Sequence, residues 1–376
     1  MNINKIINYS GISHYIRNLK LVMRLVFLIF KERKLTRKKI INFLKAKGFY
    51  MFRLSNKPLL PSTIMVEVSS LCNLSCPRCR NSEGLLSNRV DLFNKQGHVN
   101  EEDKFKALTL GSLKFDIFKK VVDELKDNLL FLLLYSSGEP FMNKCLPDMV
   151  AYATKNRIAT IISTNGHFFT MENCKKILQG KPNLIIISVS GFQQETYIKY
   201  HRGGNIEKVK EGISNLCKTK EDTNASTIIA VRYLVFSYNE HLFNEDKKQF
   251  LSLGINLVIP RPGQFFDIDQ VKEFAPKSIL PYRSSLDNHA ATETTNKPCP
   301  FLWNSAVIHW DGKVLPCCEL SYNPETLDLG NIETDSFARI WGGKQYTAFR
   351  KSHLEGKRSQ IKACKGCHVV SCFFQA

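Results

Sequence analysis

The stretch SSLCNLSCPRCR, residues 69–80, decides how the chain is read, because its three cysteines, Cys72, Cys76 and Cys79, stand four and then three positions apart. A closed structural metal site takes four protein ligands. Three thiolates on a four-iron cube leave one iron open to another molecule. The stretch follows TIMVEVS, an apolar alternating run that predicts a β-strand. Further strands are predicted at LLFLLLYS, IATIIST, LIIISVS, TIIAVRYLVF and INLVIP, with helical periodicity between them in LKFDIFKKVVDELK and IEKVKEGISNLCK. Six β/α units argue an α/β fold with a parallel sheet, a partial (β/α)6 TIM-like barrel. Chemistry in that architecture collects at the C-terminal ends of the strands, which is where the cysteine loop falls.

The rest of the chain sets limits. At 376 residues, with 43% hydrophobic and 23% charged content, it is long enough for one large and one small domain. No apolar run reaches the roughly 18 to 20 residues that cross a bilayer, and no signal peptide is visible, so a cytoplasmic chain is expected. Twelve cysteines in that compartment point to metal or catalysis rather than to disulfides. Of the formal charge of +19, residues 1–57 supply +13, from fourteen Lys/Arg and the single acid Glu32. The expected organisation is a basic arm at 1–60, the barrel at 61–264, a Pro/Ser/Thr-rich linker at 265–297 and a cysteine-rich tail at 298–376.

Within the arm, HYIRNLKLVMRLVFLIFK places Ile16, Leu19, Met23, Val26, Phe27 and Phe30 along one helical face and Arg17, Lys20, Arg24 and Lys31 in a stripe on another. Three readings stand side by side: a helix packed on the barrel, a helix lying on an anionic membrane, and a surface for an RNA or peptide.

On its cysteine loop the chain resembles the radical S-adenosylmethionine (radical SAM) superfamily, whose CxxxCxxC loop follows the first strand of a partial barrel. The resemblance implies a 4Fe-4S cluster on Cys72, Cys76 and Cys79 with one open iron. It also implies S-adenosylmethionine chelating that iron and an electron donor such as flavodoxin or ferredoxin. Cleavage of the cofactor then gives a 5′-deoxyadenosyl radical that takes hydrogen from substrate. In SSGEPF, Gly138 and Glu139 match the family's Gly-Gly-Glu type motif with Ser137 in the first place, which implies that Glu139 accepts from the cofactor ammonium. Ser188 and Ser190, two apart in IIISVSG, share one side of a strand and suit the ribose hydroxyls if Ile187 and Val189 face the helices; helix capping is the other reading. Arg202 in YHRGGNIEKV suits the cofactor carboxylate. Asn165 in STNG fits either the adenosine site or a plain turn.

The tail carries the start of the family's SPASM or shorter twitch extension, in which Cys299, Gly312 and Cys317 keep the spacing of an auxiliary cluster domain. HWDGKVLPCC predicts a hairpin with an Asp-Gly turn, and CKGCHVVSC adds Cys364 and Cys367, with Cys372 beyond. A full SPASM tail would need seven cysteines where six are present. The expectation is one auxiliary 4Fe-4S cluster on Cys299, Cys317, Cys364 and Cys367, with Cys318 or Cys372 as substitutes; a structural zinc is the competing occupant. Cys145, Cys174 and Cys217 lie in helical contexts and read as ordinary thiols.

The resemblance implies a reaction type more than a substrate. A membrane-surface arm favours a cell-envelope saccharide, a lipid precursor or another small molecule. A peptide- or protein-modifying maturase and a non-enzymatic iron–sulfur or zinc scaffold are the alternatives. No RNA-binding module is recognisable, which argues against nucleic acid.

Overall fold

The computed structural model describes residues 12–52, 59–77, 110–263, 273–277, 298–318, 329–361 and 364, with residues 12–20 described as backbone only. The expected linker falls almost wholly outside these residues, as do Cys79, Cys367 and Cys372. Six strands appear where alternation predicts them: β1 Thr63–Val66, β2 Phe131–Leu133, β3 Ala159–Thr164, β4 Leu184–Val189, β5 Ile228–Val235 and β6 Leu257–Pro262. They pair in parallel in sequence order. Between them run α3 Phe115–Leu125, α4 Leu146–Lys155, α5 Met171–Gln179, α6 Ile206–Asp222 and α7 Phe243–Ser252. Beyond the expectation, β7 Ser305–Ile308 adds to the free side of β1 in parallel, and β8 Val314–Leu315 folds back on it. The result is an open sheet in the order β6-β5-β4-β3-β2-β1-β7-β8.

Helices cover one face of the sheet and the N-terminal half of the other, so its strands are mostly buried, as in other parallel sheets. On one face Val66, Leu132, Ile162, Ile187 and Val231 pack against apolar residues of α3 to α7, such as Val121, Met149, Ile177, Val209 and Phe250. On the other, Ala159, Ile161, Leu184, Ile186, Ala230 and Ile259 pack against Leu21, Leu25, Leu28 and Ile29 of α1, Ile12–Lys31.

The helix packs on the sheet, one of the three readings, through a stripe other than the apolar face named from its sequence. Met23, Val26, Phe27 and Phe30 are exposed, and the buried stripe is Leu21-Leu25-Leu28-Ile29. The helix is apolar on most of its circumference, so periodicity did not single out the stripe that the sheet would take.

The second arm helix, α2 Arg37–Met51, is also built into the fold. Lys39 is buried and donates to the Arg157 carbonyl at 2.6 Å, and burial holds its pKa down at about 8. Asn42 donates to the Leu60 carbonyl at 2.9 Å, and the Tyr50 hydroxyl reaches the Pro298 carbonyl at 3.3 Å. Part of the arm's basicity is therefore structural. Lys34, for example, is buried between Glu32 at 2.8 Å and Asn183 at 2.7 Å.

The tail packs around α8 Phe337–Trp341 and α9 Lys344–Leu354. Arg350 lies between the rings of Trp341 and Tyr346, at 4.2 and 4.1 Å, and donates to the carbonyls of Leu302 and Trp341. The expected hairpin joins β7 to β8, with Gly312 at φ +85°, a left-handed conformation that favours glycine.

Candidate active site

The chain leaves β1 through Glu67 and Val68 and enters the cysteine loop, which is pinned from outside. Ser70 N donates to the Gly111 carbonyl at 2.9 Å, and Gly111 N donates back to Ser70 Oγ at 2.8 Å. Its inner side docks on the ends of the neighbouring strands. Asn165, just past β3, donates through Nδ2 to Asn73 Oδ1 at 2.8 Å and to Cys72 Sγ at 3.8 Å. Leu74 N also donates to Cys72 Sγ, at 3.4 Å, and Ser75 N donates to the Arg202 carbonyl at 3.0 Å. Cys72 and Asn165 are thus brought together, and the backbone of the exposed residue Arg202 meets the same loop at Ser75, although the three lie far apart in sequence. N–H groups aimed at a sulfur favour its thiolate, the form that binds iron.

Gly138 and Glu139 close the next side. Glu139 N donates to the Leu71 carbonyl at 2.7 Å, so the loop after β2 lies flat on the cysteine loop. Only glycine allows this approach. Gly138 has φ +74°, and a Cβ there would fall on the backbone of Ser69 and Ser70 and 2.8 Å from the Leu71 carbonyl oxygen. The Glu139 carboxylate is buried and accepts from Thr164 Oγ1 at 2.6 Å, Asn165 N at 2.7 Å and Phe141 N at 3.2 Å. Burial pushes its pKa up to about 7 against those three hydrogen bonds, so an added cation would tip it to the charged form. Ser137 is not an idle replacement for glycine, because its hydroxyl donates to the buried carboxylate of Glu67.

Ile187 and Val189 face the helices, which leaves Ser188 partly exposed on the opposite face. Ser190 is placed differently from its neighbour. It lies one residue past the end of β4, buried, with Oγ bonded to the Tyr197 carbonyl at 3.0 Å and to His201 Nδ1 at 2.8 Å. His201 is fully buried and neutral, its pKa driven down to about 3 by burial.

Sequence reasoning missed Tyr197, which stacks on His201 at 4.6 Å. Its hydroxyl is buried without a hydrogen-bond partner among the described residues, beside Cys76, Glu139 and Cys72. An orphaned buried hydroxyl next to two thiols fits a cluster whose sulfurs accept hydrogen bonds.

The tail repeats that arrangement. His353 is buried between two cysteines, accepting from Cys299 N at 3.2 Å through Nδ1 and placing Nε2 3.6 Å from Cys364 Sγ. Tyr346, near Cys317 and Cys299, is fully buried and again leaves its hydroxyl without a hydrogen-bond partner among the described residues. The donor chemistry suits iron–sulfur ligation at both ends. Among the described residues no three His, Cys, Asp or Glu side chains form a group that could hold a metal ion.

Comparison with known proteins agrees with this geometry. Residues 66–246 match the radical SAM superfamily, and residues 299–368 match SPASM, an iron–sulfur cluster-binding domain. The chain belongs to the radical SAM superfamily. As a radical SAM enzyme it uses S-adenosylmethionine with a 4Fe-4S cluster, and its SPASM domain binds auxiliary iron–sulfur.

Two relatives extend over most of its length. The tungsten-containing aldehyde ferredoxin oxidoreductase cofactor-modifying protein of Pyrococcus furiosus is 26% identical, over 82% of this chain and 89% of that one. The S-adenosyl-L-methionine-dependent 2-deoxy-scyllo-inosamine dehydrogenase of Niallia circulans is 25% identical, over 82% and 94%. The crystal structure of Streptococcus suis SuiB bound to precursor peptide SuiA shares the fold, with a TM-score of 0.54 at 11% identity over 78% of this chain and 68% of that one. No helix among the described residues is long and apolar enough to cross a membrane.

Proposed function

We propose that this radical SAM enzyme removes hydrogen from a small molecule of the cell envelope, a saccharide or lipid precursor, at a membrane surface. The observation that carries the site assignment is the docking of Cys72 on Asn165, with the Glu139 loop laid flat against the same loop. Cys72, Cys76 and Cys79 hold the cluster in this reading. Glu139 receives the cofactor ammonium and Arg202 its carboxylate, while Ser188 and Asn165 line the adenosine side and Ser190 braces the wall behind through His201. The bound cluster and cofactor supply the radical chemistry; the chain's share is to bind, orient and exclude water. In the tail, Cys299, Cys317, Cys364 and Cys367 hold one auxiliary cluster, with Cys318 or Cys372 as substitutes. Flavodoxin or ferredoxin serves as electron donor.

Two observations support the substrate class. The two long relatives are named for modifying a cofactor and for dehydrogenating 2-deoxy-scyllo-inosamine. The arm also leaves an apolar surface uncovered, with Phe27 and Phe30 each 68% exposed on α1 and Leu44 and Met51 61% and 69% exposed on α2. Arg24, Lys31, Arg33, Arg37, Lys38 and Lys45 are exposed on the same two helices and their connection. Apolar rings among cations suit an anionic bilayer surface. Quantifying 5′-deoxyadenosine after anaerobic reconstitution with iron, sulfide and a low-potential reductant tests the chemistry, and sedimentation with acidic vesicles tests the location.

A further inference from the structure

The sheet face opposite α3 to α7 changes character along the strands. Its N-terminal half is sealed by Leu21, Leu25, Leu28 and Ile29 of α1. Towards the C-terminal ends the residues of the same face become partly exposed and polar: Ser163 on β3, Ser188 on β4, Arg232 on β5 and Arg261 on β6. Ser188 and Arg232 are direct pairing partners, and Arg261 pairs with Leu234, two residues further along β5. Tyr135, just past β2, is half-buried beside Arg232, with which it shares a hydrogen bond, and lies close to Arg261. Burial raises the pKa of its phenol while Arg232 and Arg261 pull it down.

Arg232 is the unusual member. Its Nη1 reaches Ser163 Oγ only at 3.5 Å, and its Nε and Nη2 are buried with no hydrogen-bond partner among the described residues. Among these residues no carboxylate forms an ion pair with it. A lysine so placed could shed its proton, but a guanidinium cannot, so its charge must be met by an acceptor. Nε and one Nη form the two-pronged edge that grips a carboxylate or phosphate. A neutral sugar would leave that edge poorly satisfied.

We propose that Arg232, with Arg261 beside it, is an oxyanion site. The substrate is then an anionic small molecule whose phosphate or carboxylate is held by the Nε/Nη2 edge of Arg232. This deepens the proposed function and rests on it, since it places the anion at the strand ends that carry the cysteine loop. It narrows the substrate from envelope small molecules in general to those bearing an oxyanion.

The test uses full-length, anaerobically reconstituted protein and isothermal titration with two probes, sodium pyrophosphate and sodium succinate, which separate a phosphate preference from a carboxylate one. At least one probe should bind the unaltered protein. Arg232→Gln should weaken it about tenfold or more, the loss expected for a charged hydrogen bond. Arg232→Lys should keep part of the affinity, and Lys248→Gln, on the exposed surface of α7, should keep all of it. Iron content and melting temperature equal to those of the unaltered protein confirm that Arg232→Gln is folded.

S-adenosylmethionine binding, titrated in parallel, judges the cofactor assignment separately and should stay within about twofold in Arg232→Gln. The site is overturned if neither probe binds a protein that binds S-adenosylmethionine, or if Arg232→Gln binds the probe as the unaltered protein does. It is also overturned if that change costs cofactor affinity instead, which would hand Arg232 to the cofactor carboxylate.

Discussion

Glu67 Oε2 and His309 Nε2 lie 2.8 Å apart where neither side chain reaches solvent, although 242 positions separate them in sequence. His309 Nδ1 is 2.8 Å from Asp311 Oδ1, so both ring nitrogens face carboxylates and both act as donors. The second Glu67 oxygen takes the Ser137 hydroxyl. One buried chain of hydrogen bonds therefore ties the strand before the cysteine loop, the loop before Glu139 and the hairpin that leads to Cys317.

His309→Gln should destabilise the protein by roughly 3 to 5 kcal/mol near neutral pH, the usual effect of leaving a buried charge without its partner. Burial opposes the charge on His309, but Asp311 and Glu67 outweigh it and hold the pKa above the ordinary histidine value. The folded state thus binds the proton more tightly than the unfolded one. The stabilisation is fully present below about pH 6.5 and is lost as pH rises through the raised folded value. Asp311, held down at about 2, stays charged across this window. Denaturant midpoints at several pH values should show the gap between unaltered and variant protein closing in alkali; a gap independent of pH would contradict the charged chain.

Gly138→Ala forces a methyl group onto the Ser69–Leu71 backbone at a positive φ. The left-handed conformation alone costs on the order of 1 to 3 kcal/mol in a non-glycine residue. The overlap must also push the Glu139 loop off the cysteine loop. The variant should keep its helix and sheet content by circular dichroism and lose cofactor affinity. Unchanged affinity would mean that the close approach has no bearing on the site.

Glu139→Ala removes the acceptor of a charged hydrogen bond, worth about 1.5 to 3 kcal/mol, or about ten- to a hundredfold in cofactor affinity. Because burial holds the Glu139 pKa up at about 7, cofactor binding should tighten between pH 6 and 8 as the carboxyl ionises. Glu139→Gln should bind weakly and without that slope. Titration calorimetry of the three proteins reads both effects, and equal affinity in all three would leave Gly138 to Pro140 as a plain turn with no part in cofactor binding.

The six parallel strands, the cysteine loop after the first and the Asp311-Gly312 hairpin were legible because each is a local pattern: alternation, spacing or a turn dipeptide. The face of α1 was not, since a helix apolar nearly all round offers more than one stripe, and the choice was made by a sheet face assembled from β3 to β6. Strand alternation placed Ser188 but failed at Ser190, because β4 ends at Val189 and the next hydroxyl turns into the His201 network. Glu67–His309 and Arg232–Ser188 depend on which strands become neighbours, and no local signal in the sequence carries that.

Phe27→Ser combined with Phe30→Ser should abolish sedimentation with vesicles containing acidic lipid while leaving the fold intact, since both rings point to solvent. Binding of the unaltered protein should fall at high salt, because basic residues near such a surface contribute about 1 kcal/mol each and are screened over roughly 8 to 10 Å. Leu25→Ser should act oppositely, destabilising the core by roughly 2 to 5 kcal/mol as a large buried side chain is lost. Equal sedimentation of the double variant and the unaltered protein would remove the membrane from the account.

Cofactor cleavage is assigned to a cluster on Cys72, Cys76 and Cys79. The most direct measurement is 5′-deoxyadenosine released by anaerobically reconstituted protein with a low-potential reductant, alongside iron content, for the unaltered chain and Cys76→Ala. The expected result is steady release from the unaltered protein and none from Cys76→Ala, which keeps roughly half the iron on its tail cluster. Release from Cys76→Ala at the unaltered rate would contradict it.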